Sequence, residues 1–233
     1  MFKRLVNFLL EFPCPLCDCD NQHTHSFNSF CADCLEKLPL LHGQRCPGCG
    51  GELDGIFDLC ADCLKMPPRP WKNAMAVMKM TGLAEKAVYS LKFFGQTVMA
   101  RSLAELAAPL LFAPDFAETD VIVPVPLHWQ RYLQRSYNQS ELLAGMLARQ
   151  LQKPHRNLLK RTRPTIRQAT LNRAERLKNL QGAFAVKNPA QVQGKKILLV
   201  DDVLTTGATL HACAEALLQA GAESVVVFVI ARR

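Results

Sequence analysis

Two sets of residues in this sequence have the types and spacing to do chemistry. The first is an acidic pair followed by a small, hydroxyl-rich run, Asp201-Asp202-Val203-Leu204-Thr205-Thr206-Gly207-Ala208-Thr209. Adjacent carboxylates offer acceptors for the two vicinal hydroxyls of a ribose, or hard oxygen ligands for a Mg²⁺ carried by a diphosphate. The threonine-glycine run leads into an apolar helical pattern, so backbone amides at a helix start, aided by threonine hydroxyls, form a cradle for phosphate. Gly207 lets the backbone approach the anion closely. Acids for sugar hydroxyls followed at once by an anion nest suit a 5-phosphoribosyl group, as in 5-phosphoribosyl diphosphate (PRPP). Alternatives fit less well. A P-loop needs Gly-x-x-x-x-Gly-Lys-Ser/Thr, which is absent, and receiver domains carry paired acids after the first strand of the chain, whereas these close a late one. The purely structural alternative is an acidic strand end followed by a capped helix.

The second set is sulfur. Nine of the ten cysteines fall within the first 63 residues, and eight form Cys-x-x-Cys pairs: Cys14 with Cys17, Cys31 with Cys34, Cys46 with Cys49, and Cys60 with Cys63. A two-residue gap lets both thiolates of a knuckle face one tetrahedral Zn²⁺, and two knuckles close a four-sulfur site, so this segment has capacity for one or two ions. Sequential pairing is the simplest scheme, and spacing alone leaves interleaved pairing open. Cys19, His23 and His25 are spare candidates near the first site. A site of four sulfurs leaves no open position, so the zinc reads as structural.

Positioning these groups requires particular elements. Residues 197–200 are uniformly apolar, as in a strand buried on both faces of a parallel sheet, and ligands of such sheets bind beyond the strands' carboxyl ends. Residues 209–220 read as the helix after it, stopped by Gly221, and 225–230 as the final strand. Upstream, 73–80 and 121–123 read as strands, the latter ended by Pro124-Val125-Pro126, while 83–94, 98–112 and 140–151 read as helices, with Ser140 a candidate N-cap. Residues 153–179 are basic and weakly periodic, part loop and part helix. Alternating strands and helices imply parallel crossovers. The expected architecture is an α/β three-layer sandwich with a mainly parallel sheet, preceded by a small zinc-ribbon-like module. Its divisions are a cysteine-rich module at 1–66, a linker at 67–72 whose prolines break regular structure, and the α/β domain at 73–233. The two cysteine quartets are a candidate repeat.

Composition narrows the class. Of 233 residues, 49% are hydrophobic and 21% charged, a globular balance that excludes a disordered chain. The formal charge is +8, yet residues 128–187 hold 13 Lys and Arg against two acids, so that segment is +11 and the remainder −3. Such an excess points to a polyanion, either small-molecule phosphates or nucleic acid, with a solvated basic face as the plain alternative. Residues 1–11 loosely resemble a signal peptide but lack its cleavage site, and read instead as a short amphipathic helix lying on the cysteine module. No run is long and apolar enough to span a bilayer. The expected location is cytoplasmic, where paired cysteines are metal ligands more often than disulfides.

With these residues in hand the chain resembles type I phosphoribosyltransferases. More narrowly it is similar, over essentially its whole length, to the ComF/GntX (competence protein F) family. Besides the cysteine-rich start and residues 197–209, the matching segments are Leu91-Lys92-Phe93-Phe94-Gly95, Val123-Pro124-Val125-Pro126, Arg135-Ser136-Tyr137-Asn138-Gln139 and the basic residues 160–176. The resemblance implies that Lys92 lies near the diphosphate side of a PRPP pocket with Mg²⁺. In that pocket Asp201 and Asp202 are the catalytic pair, and Thr205, Thr206, Gly207, Ala208 and Thr209 hold the 5-phosphate. It implies that Arg131 and Arg135 reach an anionic ligand or nucleic acid. Arg161, Thr162, Gln168, Arg173, Asn179 and Phe184 would belong to a mobile basic flap. Ser136 and Tyr137 stand where the family has glycine and phenylalanine. The implied role is DNA uptake and processing in natural transformation, with single-stranded DNA and uptake or helicase proteins as partners. The alternative is an active phosphoribosyltransferase of nucleotide metabolism with an unidentified acceptor. No nucleobase-specificity element is recognisable downstream, and retention of catalysis stays open.

Overall fold

The structure, a computed structural model, describes residues 13–19, 30–53, 55, 57–93, 97–127, 136–163, 180 and 182–233. Its centre is a four-stranded, all-parallel sheet in the order β1 (Asn73–Lys79), β6 (Ser224–Arg232), β5 (Lys196–Leu204), β2 (Val121–Pro124). The two inner strands are buried along nearly their whole length, and their Val-, Ile- and Leu-rich runs lack the polar alternation of a half-exposed strand. The period of two sorts their side chains into two cores. On one face, Met75, Val77, Ile122, Leu198, Val200, Phe228 and Ile230 meet α3 (Leu83–Phe93), α4 (Thr97–Ala107) and α6 (Gln139–Leu151). On the other, Ala74, Ala76, Val123, Ile197, Leu199, Val227 and Val229 meet α7 (Ala208–Gln219). This is the expected three-layer arrangement, with the ends of β2 and β5 presented together at one edge of the sandwich.

The cysteine-rich segment wraps the β1 edge. Leu41 N–H donates to the Val77 carbonyl at 2.9 Å and Lys79 N–H to the Pro39 carbonyl at 2.9 Å, so residues 39–41 cover backbone groups that β1 would otherwise leave open. The flanking knuckles straddle the sheet. Cys14, Cys31 and Cys34 belong to the core that includes Met75 and Val77, and Cys46, Cys49 and Cys63 to the core that includes Ala74 and Ala76. Gly50, at φ +72°, marks the closest approach, because a Cβ there would sit 2.5 Å from the Ala76 nitrogen.

Several expected boundaries move. Strand β5 runs to Leu204 and not to Val200, because its register with β6 continues through Val203–Ala231 and Leu204–Arg232. The acidic pair therefore lies inside the strand, followed by Val203 and Leu204, and not at its end. Helix α6 begins at Gln139 with Asn138 as its N-cap, whose side chain accepts from Ser140 N–H at 3.1 Å. Ser140 is thus released from the capping role expected of it. In the basic stretch 153–179, read as loop and helix, residues Leu159–Arg161 instead form a short strand, β3, antiparallel to β4 (Phe184–Val186). The partner strand is 23 residues on, beyond the reach of a local periodicity reading. The shorter helices α1 (Ala32–Lys37), α2 (Ala61–Leu64) and α5 (Pro114–Ala117) were not foreseen. No helix among the described residues is long and apolar enough to cross a membrane.

Candidate functional site

At the carboxyl ends of β5 and β2 lies an open cavity of about 300 Å³. All eight residues expected to bind PRPP line it: Lys92 from α3, Asp201 and Asp202 from β5, and Thr205, Thr206, Gly207, Ala208 and Thr209 from the turn into α7. The turn is possible because Gly207 adopts φ +77° as the residue before α7, a conformation costly for any residue with a Cβ. Thr206 Oγ1 accepts from Ala208 N–H at 3.4 Å and so helps close the turn. The first residues of α7, Ala208, Thr209 and Leu210, line the cavity.

The acids are held by a network that only the fold assembles. Lys92 Nζ lies 3.0 Å from Asp202 Oδ2. Gln139 Nε2 donates to the same oxygen at 3.3 Å, and Ser140 Oγ donates to Asp201 Oδ1 at 2.7 Å. Desolvation, followed by the neighbouring charge of Asp202, pushes the Asp201 carboxyl up to about 7, while the Ser140 hydroxyl and Asp202 N–H pull in the opposite direction. Burial and the adjacent charge thus favour the protonated form of Asp201.

Gln139 and Ser140 are pocket residues that spacing did not reveal. Their signal was the segment Arg135-Ser136-Tyr137-Asn138-Gln139, whose chemistry is written in the tertiary contacts of its last residues. Asn138 Nδ2 donates to the Val125 carbonyl at 3.0 Å, which fixes the start of α6 against the end of β2. Tyr137 Oη donates to the Leu91 carbonyl at 2.6 Å, a bond that phenylalanine could not make. Leu91 precedes Lys92, so this bond ties the lysine's helix to the segment supplying Gln139 and Ser140. Ser136 takes φ +62°, the left-handed region where glycine would be unstrained.

Of the expected basic-loop residues, Arg131, Arg135 and Arg173 lie outside the described residues, as do Gln168 and Asn179. Arg161 is on β3 with its guanidinium 5.4 Å from the Phe184 ring centroid, and it does not line the cavity. Thr162 Oγ1 donates to the Gly182 carbonyl at 3.0 Å. Residues 1–11, His23 and His25 are likewise outside the described residues.

The eight paired cysteines gather into two quartets in sequential order, Cys14/Cys17/Cys31/Cys34 and Cys46/Cys49/Cys60/Cys63, with the sulfurs of each all within 4.8 Å of one another. The interleaved alternative is not what the structure adopts. The Cys17–Cys31 and Cys49–Cys60 sulfurs are each 3.6 Å apart, close to the roughly 3.8 Å edge of a tetrahedron with 2.3 Å metal–sulfur bonds. The quartets repeat one local design. A loop knuckle is followed by Cys-Ala-Asp-Cys-Leu opening a short helix, and the first sulfur of the knuckle accepts from the N–H of the third cysteine at 3.4 Å. Cys17 is drawn down to about 6, chiefly through its contact with Cys19, while Cys19 is pushed up to about 12 by the same contact. In the second quartet, hydrogen bonds with Cys49 and Cys63 hold Cys46 far below the usual thiol range, and Cys49 is pushed well above it. Such a cluster favours one thiolate and resists four unless a cation sits among them. Both quartets could hold a metal ion.

Comparison with known proteins agrees with this arrangement. The family model of the phosphoribosyl transferase domain matches residues 138–233. The chain is 31% identical to Competence protein F of Haemophilus influenzae, over 98% of this chain and 100% of that protein. It is 35% identical to DNA utilization protein YhgH of Escherichia coli, over 80% of this chain and 83% of that one. It is 30% identical to Competence protein ComFC of Bacillus subtilis, over 87% and 83%. The domain has the type I phosphoribosyltransferase fold with an N-terminal cysteine cluster, and the chain belongs to the competence protein F (ComF) family.

Proposed function

We propose that this protein binds PRPP or a closely related phosphorylated ribose in the cavity at the ends of β5 and β2, and serves the uptake and processing of DNA in natural transformation. The observation that carries the ligand reading is the junction of Asp201 and Asp202 with the 205–209 turn in one cavity, braced by Lys92, Gln139 and Ser140. In this reading the turn amides and threonine hydroxyls hold the 5-phosphate, and the carboxylates accept hydrogen bonds from the ribose hydroxyls. Lys92, 25% exposed at its side chain, can exchange Asp202 for the ligand's diphosphate. A Mg²⁺ carried by that diphosphate would offset its charge, with the aspartates as hard oxygen donors. The DNA role rests on the relatives, which are named competence or DNA utilization proteins. In each cysteine quartet zinc is the fitting ion, since four thiolates suit it and leave no open position for chemistry.

Calorimetry tests the reading, with Mg²⁺-PRPP and a single-stranded oligonucleotide titrated separately at two salt concentrations. Saturable PRPP binding that Asp202→Ala abolishes, at unchanged zinc content, is the expected result. Silence with PRPP combined with steeply salt-dependent DNA binding would sink the pocket reading.

A second reading, transfer of the phosphoribosyl group to an acceptor, draws on one observation. A smaller cavity of about 160 Å³, lined in part by Glu141, Asn157 and Lys187, shares Pro126, Leu127 and Asn138 with the first. Transfer would break the bond between ribose C1 and the diphosphate oxygen and form one from C1 to the acceptor. Release of diphosphate from PRPP in the presence of candidate bases distinguishes it from binding alone.

A further inference from the structure

Arg69 stands between three prolines, Pro67, Pro68 and Pro70, in a stretch that connects the second cysteine quartet to β1. Prolines hold their own φ near −65° and restrict the residue before them, so Arg69 projects from a stiff post. Its guanidinium reaches 137 residues along the chain, where both Nη1 and Nη2 donate to the Thr206 carbonyl at 3.2 Å. Thr206 is in the turn that would cradle phosphate. The peptide between Thr206 and Gly207 is trans, since the described residues contain no cis bond. In a trans peptide the carbonyl and the N–H point to opposite sides. A cation that captures the Thr206 carbonyl from outside therefore turns the Gly207 N–H towards the cavity. A Cβ on Gly207 would lie 2.8 Å from Arg69 Nη1, which confirms how closely the guanidinium backs the turn.

The post is itself anchored. The Arg69 guanidinium lies 5.0 Å from the centroid of the Trp71 ring, within cation–π range. Trp71 is 5% exposed and its Nε1–H donates to the Pro47 carbonyl at 3.2 Å, inside the Cys46-Pro47-Gly48-Cys49 knuckle. The same ring meets His211 edge-on at 6.4 Å, in the first turn of α7, where His211 N–H donates to the Gly207 carbonyl at 2.8 Å.

We propose that Arg69 is a positioning residue for the phosphate turn, holding the Thr206–Gly207 peptide with its amide aimed into the cavity, and that Trp71 fastens this hold to the second cysteine quartet. The inference rests on the ligand reading above for its consequence, but the hold is a property of the ligand-free protein. A hydrogen bond from a charged donor is strong enough that its loss costs on the order of tenfold in an equilibrium.

The test uses the full chain with Arg69→Ala, Arg69→Lys and Trp71→Phe. Zinc content is measured alongside two readouts: hydrogen exchange in peptides spanning residues 204–212, and calorimetric affinity for Mg²⁺-PRPP. Exchange in this segment reports opening of the turn through the His211 amide. Arg69→Ala should keep the parent's zinc content, exchange roughly 10-fold faster there, and bind PRPP roughly 10-fold more weakly. Arg69→Lys, which lacks the two-pronged donor, should recover only part of both. Trp71→Phe should accelerate exchange by a smaller factor. Unchanged exchange in Arg69→Ala overturns the proposal, and unchanged exchange with weakened affinity would make Arg69 a direct ligand contact. If the parent binds no PRPP, faster exchange in Arg69→Ala still sustains the hold, and the failure belongs to the ligand reading alone. If Arg69→Ala does not fold, the exchange rates of Arg69→Lys and Trp71→Phe decide, with parent-like rates in both overturning it.

Discussion

Replacing Asp201 by Asn should make the protein more stable at pH 8 and abolish the proposed binding of PRPP. The folded state raises the Asp201 carboxyl to about 7 from an ordinary value of 3.8, first through desolvation and then through Asp202. For a raised carboxyl, the folded protein retains a proton that the unfolded chain has already released. The stability from this group is full below about pH 4, is lost as pH rises towards 7, and then levels off. The largest loss that shift allows is roughly 4 kcal/mol, at 1.36 kcal/mol per unit. Asparagine avoids that loss but makes a weaker bond to Ser140 Oγ, now 2.7 Å from Oδ1, which offsets on the order of 1 kcal/mol. A net gain of about 2–3 kcal/mol corresponds to roughly 5–10 °C in Tm for a chain of this size. Thermal unfolding followed by circular dichroism from pH 4 to pH 8, at constant zinc, gives the comparison. The Tm difference between variant and parent should be near zero or negative at pH 4 and grow to a plateau above pH 7. A difference that does not change with pH, or a variant less stable than the parent at pH 8, would refute the burial and charge argument. Calorimetry on the same samples should show PRPP binding lost, as expected where a functional site stores unfavourable charge.

Three further outcomes follow from the same contacts. Zinc release on thiol modification should give two ions per chain, falling to one in Cys34→Ser and in Cys63→Ser if each still folds, because the quartets share no ligand. Gly207→Ala should cost roughly 1–2 kcal/mol by urea unfolding and weaken phosphate-ligand binding, since φ +77° strains any side chain and the new Cβ meets Arg69. Tyr137→Phe removes the 2.6 Å bond to the Leu91 carbonyl and should cost about 1 kcal/mol in unfolding, with a measurable loss of PRPP affinity because Lys92 is next along that helix.

Much of the site was legible before the fold was known. The apolar run into Asp201-Asp202 and the Thr-Thr-Gly-Ala-Thr turn are patterns of adjacent residues, and with Lys92 the eight positions expected to bind PRPP line one cavity, whereas Arg161 does not line it. Cys-x-x-Cys spacing is equally local, because two residues set the reach of a knuckle. What could not be read were contacts between distant residues. Ser140 looked like a helix cap, yet the hydroxyl serves Asp201 because Asn138, two residues earlier, caps the helix instead. Arg69 read only as part of a proline-rich connection, and its partner Thr206 is 137 residues further along the chain.

The sequence by itself determined the alternation of strands and helices, the acid-then-anion-nest motif and the four knuckles, since each depends on residues within a turn or two of one another. Tertiary structure decided which cysteines share a site, how the knuckles straddle the β1 edge, and which side chains brace the carboxylates. Those outcomes depend on register and packing between segments many residues apart, where a side chain's neighbours are chosen by the sheet order and not by spacing along the chain.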